Sequence, residues 1–429
     1  MISSVYLNNT LTCIHHLPFP KGVPIQSVAA ITQTKALHQL RKQWWLATAV
    51  AGTTTFLFWQ WLRGAWVTQF ANKWLGITAV CTTYALWVVW QHLPENHRQG
   101  ERDLLPTFGP GNTLTLLRTL LLAMMAGFFF SPWPDGVLAW LPVLFYTTAV
   151  IVDFFDGYAA RVSNQATQLG ARLDMTFDGL GVMLVSLLAV WYGQLPWWYV
   201  ILGLARYFFV WGLWLRRQLG WPVHDMPPSI HRRMFAGFQM GFLSAVLWPI
   251  VPAGGAAVAG TIFAAATAVS FLRDWFVVIG WLNPESTRYR QWQRRLFVAI
   301  KWWLPVVVRG ILVTAVWLLW QQAGGGQRSL PITDGLQLWG VAEWLVTPLT
   351  AALLLGTGLA AVGIMPRLFA LLLVFPLAFW VWGQGLTATS GMVTAAAMII
   401  VVLGAGKWAL WPVEEPFVER RFGAPKGNT

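Results

Sequence analysis

The sequence predicts an all-α polytopic membrane protein of about twelve spanning helices, each of about 20 residues. Three observations carry that prediction. The 429 residues are 56% hydrophobic and 10% charged, against roughly 25% charged residues in a soluble domain. Apolar segments of spanning length recur along the whole chain. They are apolar on every side, whereas barrel strands alternate, and backbone groups in hydrocarbon must be paired within a helix.

In chain order the predicted spans are 44–62, 74–91, 114–131, 138–158, 170–191, 197–215, 235–251, 257–282, 302–320, 338–362, 367–384 and 391–411. The chain opens MISSVYLNNTLTC, with no early cation and no apolar core, which argues against a cleaved signal peptide. Cys13 and Cys81 are the only cysteines, and two such residues make neither a disulfide framework nor a zinc site. His15-His16 and the pair His92 and His97 show no metal-ligand spacing.

After a polar start and a two-helix hairpin comes HLPENHRQGERDLLPTFGPGN. Its Pro, Gly and charge mark a module boundary, so 1–104 is a first unit. Six spans follow in a second unit, 105–284, joined on the outside by SPWPDG, GQLP and VPAGG, which carry no Lys or Arg. NPESTRYRQWQRRLFVAIK then reads as a basic interfacial segment or linker. It opens a third unit, 285–429, with four more spans. Gly324–Gly326 is a flexible outer loop rather than a phosphate cradle, because no Lys-Ser/Thr follows.

The net charge is +13. With the N-terminus inside, the inner segments hold most of the Lys and Arg. The outer loops hold only Arg63, Lys73 and Arg328. That asymmetry is the positive-inside rule, and it places both termini in the cytoplasm of a bacterial-type inner or plasma membrane. No soluble domain carries a basic footprint, so nucleic acid is excluded as a partner. The basic loops favour anionic membrane lipids. Arg118, Arg206, Arg273 and Arg309 fall within or at the ends of spans. Arg273 and Asp274 are sequence neighbours and are expected to pair with other helices or to sit near the interface. Glu343 is expected to pair with Arg309 or to be functional, because intramembrane ions default to function.

The stretch DFFDGYAARVSNQATQLGARLDMTFD, 153–178, places four acids where two helices meet the cytoplasmic surface. Asp153, Asp156, Gly157, Ala160 and Arg161 share one helical face; Gly170, Asp174 and Asp178 share another. Single acids at a helix end are often caps, but caps do not require four acids in two registers. An uncompensated carboxylate costs roughly 2.5–3.5 kcal/mol at a helix centre. Arg161 and Arg172 can neutralise part of the charge. Hard divalent cations do so better and bridge carboxylates to phosphate oxygens. Gly157, Ala160 and Gly170 leave room against the backbone. Together these residues describe a metal–diphosphate pocket.

The pattern D-x-x-D-G-x-x-A-R-x8-G-x3-D-x3-D, unbroken from Asp153 to Asp178, resembles the signature of the CDP-alcohol phosphatidyltransferases. The resemblance covers about 105–284 and implies a six-helix catalytic core, usually dimeric, with its site open to the cytoplasm. GNTLTLLRTLLL resembles the family's Pro-Asn entry to the first span, with Pro110 one residue early and Gly111 inserted. By resemblance, Asn112, Thr115, Arg118, Gly157, Ala160, Arg161 and Gly170 bind the CDP group. Asp153, Asp156, Asp174 and Asp178 hold two divalent ions, Mg²⁺ or Mn²⁺, and Asp178 is the general base. Arg118 has the competing option of snorkelling to the interface.

The reaction implied is transfer of a phosphatidyl or other phospho-alcohol group. The donor is CDP-diacylglycerol or another CDP-alcohol, and CMP leaves. Arg206, Arg232 and Arg233 suit a phosphorylated acceptor, as Arg216 and Arg217 do, although ordinary cytoplasmic anchoring explains the latter two equally. Glycerophosphate-using members often follow the last Asp with Lys, where this chain has Gly179. The final four spans distantly resemble DoxX-like four-helix membrane proteins. The rival function is a cation-coupled transporter using intramembrane aspartates. Transporters place such acids near the midplane, whereas these lie towards one face.

Overall fold

The computed structural model describes residues 25–226, 230–322, 331–404 and 406–416. Met1, Cys13, His15, His16, Gly324–Gly326 and Arg328 lie outside the described residues, as do the side chains of Arg232 and Arg233. Among the described residues the regular structure is helical and contains no strand; pairing between extended segments is limited to isolated bridges.

Among the described residues, six helical stretches are long and apolar enough to cross a membrane: Gly136–Val162, Gln168–Trp191, Ala253–Val278, Thr287–Gln322, Glu343–Val362 and Pro366–Gln384. Phe235–Val246 and Ala388–Leu403 are shorter apolar helices. The other four predicted spans are helical too, but are less apolar or broken. Segment 44–62 lies in α1 (Ile25–Ala65) and 74–91 in α2 (Thr68–His92). Both carry Trp and Thr in place of Leu and Ile. Segment 114–131 lies in α3 (Gly109–Ala126), and 197–215 is divided between α6 (Tyr199–Gly203) and α7 (Ala205–Gln218).

The site is carried by α3, α4 (Leu141–Val162) and α5 (Gln168–Trp191), backed by α8 (Ile230–Val246), on whose far side α9 (Ala253–Val278) packs. The approach of α3 to α4 needs Gly111: a Cβ there would stand 2.7 Å from the Ala160 Cβ and 3.2 Å from the Asp156 carbonyl oxygen. Gly111, the insertion relative to the family entry, is thus the residue that lets α3 lie against the acidic end of α4. Small residues at helix contacts are a general device of membrane proteins, where close packing replaces the hydrophobic drive.

The N-terminal hairpin packs on this block. Trp74 is fully buried and donates from Nε1 to the Met124 carbonyl at 2.9 Å. Leu40, Val89 and Leu93 cluster with Phe108, Leu169, Leu173 and Phe177 behind α5.

The basic connector folds as α10 (Thr287–Phe297), capped by Ser286, which accepts from the Tyr289 N–H at 3.2 Å. It continues through a π-helical turn, Val298–Trp303, into α11 (Leu304–Gln322). The terminal unit adds α12 (Pro331–Leu338), α13 (Val346–Val362), α14 (Pro366–Leu372), α15 (Val374–Gln384) and α16 (Ala388–Leu403). Pro376 removes one intrahelical donor just after the α14–α15 break at Leu373.

Two expected pairings are corrected. Arg273 does pair with its neighbour: Nη1 donates to Asp274 Oδ1 at 3.0 Å, and Nε donates to the Tyr289 hydroxyl at 2.8 Å. Its side chain is long enough to turn back along its own helix. Arg309 does not pair with Glu343. It donates to the carbonyls of Ala361 at 3.2 Å and Lys407 at 2.6 Å, while Glu343 accepts from Gln337 at 2.9 Å. Glu343 starts a short 3₁₀ turn before α13, away from the end of the bundle that holds Arg309.

Candidate active site

The turn between α4 and α5 is short and closely held. Asn164 takes the left-handed conformation at φ 53°, which Asn tolerates better than most residues. Thr167 caps α5 by accepting from the Gly170 N–H at 3.0 Å. The loop after the hairpin braces the same turn: Arg98 Nε donates to the Asn164 carbonyl at 3.0 Å. Asn96, fully buried in that loop, accepts from Asn112 Nδ2 at 3.1 Å, and Asn112 also donates to Thr167 Oγ1 at 3.1 Å. A Cβ at Gly170 would stand 2.6 Å from Asn112 Oδ1. Asn112 therefore locks α3, the loop and α5 together. Ala160 and Gly170 both serve these close approaches.

With the turn fixed, the acids converge. One carboxylate oxygen from each of Asp153, Asp156 and Asp174 lies within 4.8 Å of the others. Asp156 is buried and accepts from Thr115 Oγ1 at 3.1 Å. Two helices thus contribute to one cluster of hard oxygen donors. Asp178 stands beside the trio on the next turn of α5.

Arg118 occupies the centre. Its side chain is only 3% exposed, so it does not snorkel. Nη1 contacts Asp153, lies 3.3 Å from Asp174 Oδ1 and 3.7 Å from Asp156 Oδ2; Nη2 lies 3.0 Å from Asp178 Oδ1. One guanidinium faces four carboxylates. With all four ionised, the cluster lacks three positive charges. This central role was not legible in sequence. The available signal was that Arg118 shares a helical face with Thr115, three residues earlier.

The cations expected to share the neutralisation are elsewhere. Arg172 donates to Glu95 Oε2 at 2.6 Å, out in the loop. Arg161 is exposed and borders Gly157, where a Cβ would stand 3.2 Å from its Nη1. Arg206 does come in: a Cβ at Gly179 would stand 2.9 Å from Arg206 Cδ. The arginine stem thus crosses the residue following Asp178. Arg216 instead donates to the Pro222 carbonyl at 2.9 Å and lies over Trp221.

Three clustered carboxylates with only oxygen donors fit Mg²⁺ or Mn²⁺ and suit no soft metal. Asp153, Asp156 and Asp174 are the residues that would hold it.

Residues 110–272 match the family model for CDP-alcohol phosphatidyltransferase. Within an integral membrane protein, the stretch from α3 into α9 is thus similar to a CDP-alcohol phosphatidyltransferase domain. It is 38% identical over 108 residues to the CDP-diacylglycerol–glycerol-3-phosphate 3-phosphatidyltransferase of Cereibacter sphaeroides, covering 24% of this chain and 47% of that one. The enzyme of the same name from Salmonella typhimurium is 35% identical over 91 residues, covering 19% and 47%. A candidate cardiolipin synthase of Mycobacterium tuberculosis is 29% identical over 140 residues, covering 32% and 63%. The chain thus spans about half the length of the first curated relatives it matches, at 47%. No solved structure matches it.

Proposed function

We propose that the domain transfers a phosphatidyl group from CDP-diacylglycerol, or a related group from another CDP-alcohol, to an acceptor alcohol in phospholipid biosynthesis. The observation that carries this is the three-carboxylate cluster built by two helices around Arg118. Phosphoryl transfer needs positioning and charge neutralisation more than covalent chemistry. Divalent cations, when bound, stabilise charge on the attacking and leaving oxygens.

The chain's own residues do the rest. Arg161 and Arg118 take the diphosphate oxygens. The acceptor oxygen forms a bond to the β-phosphorus, the bond to CMP breaks, and Asp178 takes the hydroxyl proton. Thr115 fixes the orientation of the Asp156 carboxylate through its hydrogen bond.

The acceptor is a phosphorylated alcohol. Arg206, brought over Gly179 beside Asp178, supports this, because guanidinium suits phosphate. Gly179 stands where glycerophosphate-using relatives often carry Lys, and Arg206 supplies a cation there. By residue type, Arg232 and Arg233 suit the same phosphorylated acceptor. The site and both termini face the cytoplasm, in keeping with the positive-inside distribution, and the family resemblance implies a homodimer.

Purified full-length protein, given CDP-diacylglycerol and a panel of alcohols, tests the proposal. CMP should appear only with Mg²⁺ or Mn²⁺, and glycerol 3-phosphate should be among the best acceptors by lipid mass spectrometry. Cation flux without CMP release from any alcohol would favour transport and remove the proposal.

A further inference from the structure

α8 separates two spaces. Met240 lines a small cavity with Arg118, Asp153 and Asp178. Gly237, Phe238 and Gly241 line another of about 380 Å³, on the side of the terminal unit. α9 forms a second wall, and α14, α15 and α16 close it through Leu371, Leu377 and Ala397. Its size falls within the range of about 300–1,000 Å³ typical of small-molecule sites. It lies between the phosphatidyltransferase domain and the helices that follow, so neither part alone builds it.

The walls are almost wholly apolar, and the polar groups sit at Arg367 and Glu414. Arg367 is buried, 8% exposed, and its donors are committed. Nε and Nη2 donate to the two oxygens of Glu415 at 3.1 Å each, and Nη1 donates to the carbonyls of Val401 at 2.6 Å and Val402 at 3.2 Å. Its guanidinium also lies 5.4 Å from the centre of the Phe238 ring. Glu414 differs. Its Oε1 accepts from the Arg367 backbone N–H at 3.0 Å, but its Oε2 is buried and finds no hydrogen-bond partner among the described residues. A buried carboxylate oxygen without a donor is costly. The polar end of the cavity therefore combines a guanidinium whose donors are taken with one unfilled carboxylate acceptor.

We propose that this cavity binds a membrane amphiphile. Its alkyl chain lies between α8, α9, α15 and α16, and its hydrogen-bond-donating head, a hydroxyl or an ammonium, meets Glu414. A phosphate head does not fit, because the Arg367 donors are engaged and the open position at Glu414 is an acceptor. Thr394 does not compete for the head, since its hydroxyl already donates to the Ser390 carbonyl at 2.9 Å.

Photolabelling of the full-length protein in lipid nanodiscs tests this. Three probes share one alkyl chain with a mid-chain diazirine and end in hydroxyl, ammonium or phosphate. The hydroxyl or ammonium probe should label cavity residues of α8, α9 and α16, and the phosphate probe should not. Labelling by hydroxyl identifies an alcohol-headed lipid as the source; labelling by ammonium alone identifies an amine-headed one. Glu414→Leu should cut cavity labelling roughly tenfold, the scale of one hydrogen bond to a charged group. Gly241→Phe should abolish it: a Cβ at Gly241 meets nothing within 4 Å, so the backbone accepts the change while the ring fills the space. Unchanged melting temperatures establish that both variants fold. If Glu414→Leu does not fold, Glu414→Gln should weaken the ammonium probe more than the hydroxyl probe. Cavity labelling unaltered by Gly241→Phe, or strongest with the phosphate probe, overturns the assignment. The readout is independent of CMP release, so either proposal can fail alone.

Discussion

Arg118 and Arg309 are both arginines inside the helical bundle, 3% and 5% exposed. Arg309, in the terminal unit, is met by two backbone carbonyls, those of Ala361 and Lys407. Its partners are fixed parts of the chain, as expected of a cation that holds α11 to α13 and to the segment after α16. Arg118 faces four carboxylates on two helices. No arrangement of one guanidinium can balance them. A purely structural ion pair would not gather four carboxylates on one guanidinium, because like charges held together repel. The contrast separates a cation used for packing from a cluster built to receive more positive charge.

Asp178→Asn presses hardest on this contrast. It removes the proposed base while leaving the three-carboxylate cluster intact. CMP release should fall by about 10²- to 10⁴-fold, the usual worth of general acid–base catalysis, with melting temperature little changed. Turnover like that of the parent would remove Asp178 from its role.

Arg118→Met should destabilise the metal-free protein by about 3 kcal/mol, the low end for stranding a buried charge, because only Asp156 of its four partners is buried. Mg²⁺ should then restore much of the loss, because a ligand that binds only the folded state stabilises it. Thermal unfolding with and without Mg²⁺ reads this. An equal loss in both conditions would mean that Arg118 is structural in the way Arg309 is.

Arg309→Met should also destabilise, by about 1–3 kcal/mol for each of the two carbonyls left without a donor. Mg²⁺ should not repair it, and CMP release per folded molecule should stay at the parent level. A Mg²⁺-dependent rescue would erase the distinction between the two arginines.

Gly111→Ala is the gentlest probe. Its added Cβ meets the Ala160 Cβ at 2.7 Å, and overpacking of this kind costs about 1–3 kcal/mol. Because the Asp156 carbonyl is also within 3.2 Å, CMP release should drop modestly along with stability. An unaffected rate would show that the carboxylates tolerate movement of α3.

The aspartates were legible because helical spacing alone puts them on facing stripes. What surrounds them was not. The Arg118 contacts join positions far apart in sequence, and only the packing of α3 against α4 and α5 brings them together. Arg172 looked local to the acids, yet it reaches Glu95 in the loop. That loop read as a module boundary from its Pro, Gly and charge. Asn96 within it is nonetheless fully buried and bonded to Asn112. Composition reports the average of a segment and cannot reveal one buried residue. The spans divide in the same way. Segments rich in Leu, Val and Ala meet the apolar criterion, while the Trp- and Thr-rich helices α1 and α2 do not, although both fold as helices.

Manganese binding by the purified full-length protein, followed by electron paramagnetic resonance, bears most directly on a cation shared by two helices. Bound Mn²⁺ should be present in the parent protein and lost in both Asp153→Asn and Asp174→Asn, one change on each helix. Binding undiminished in either variant would show that α4 and α5 do not hold the ion jointly.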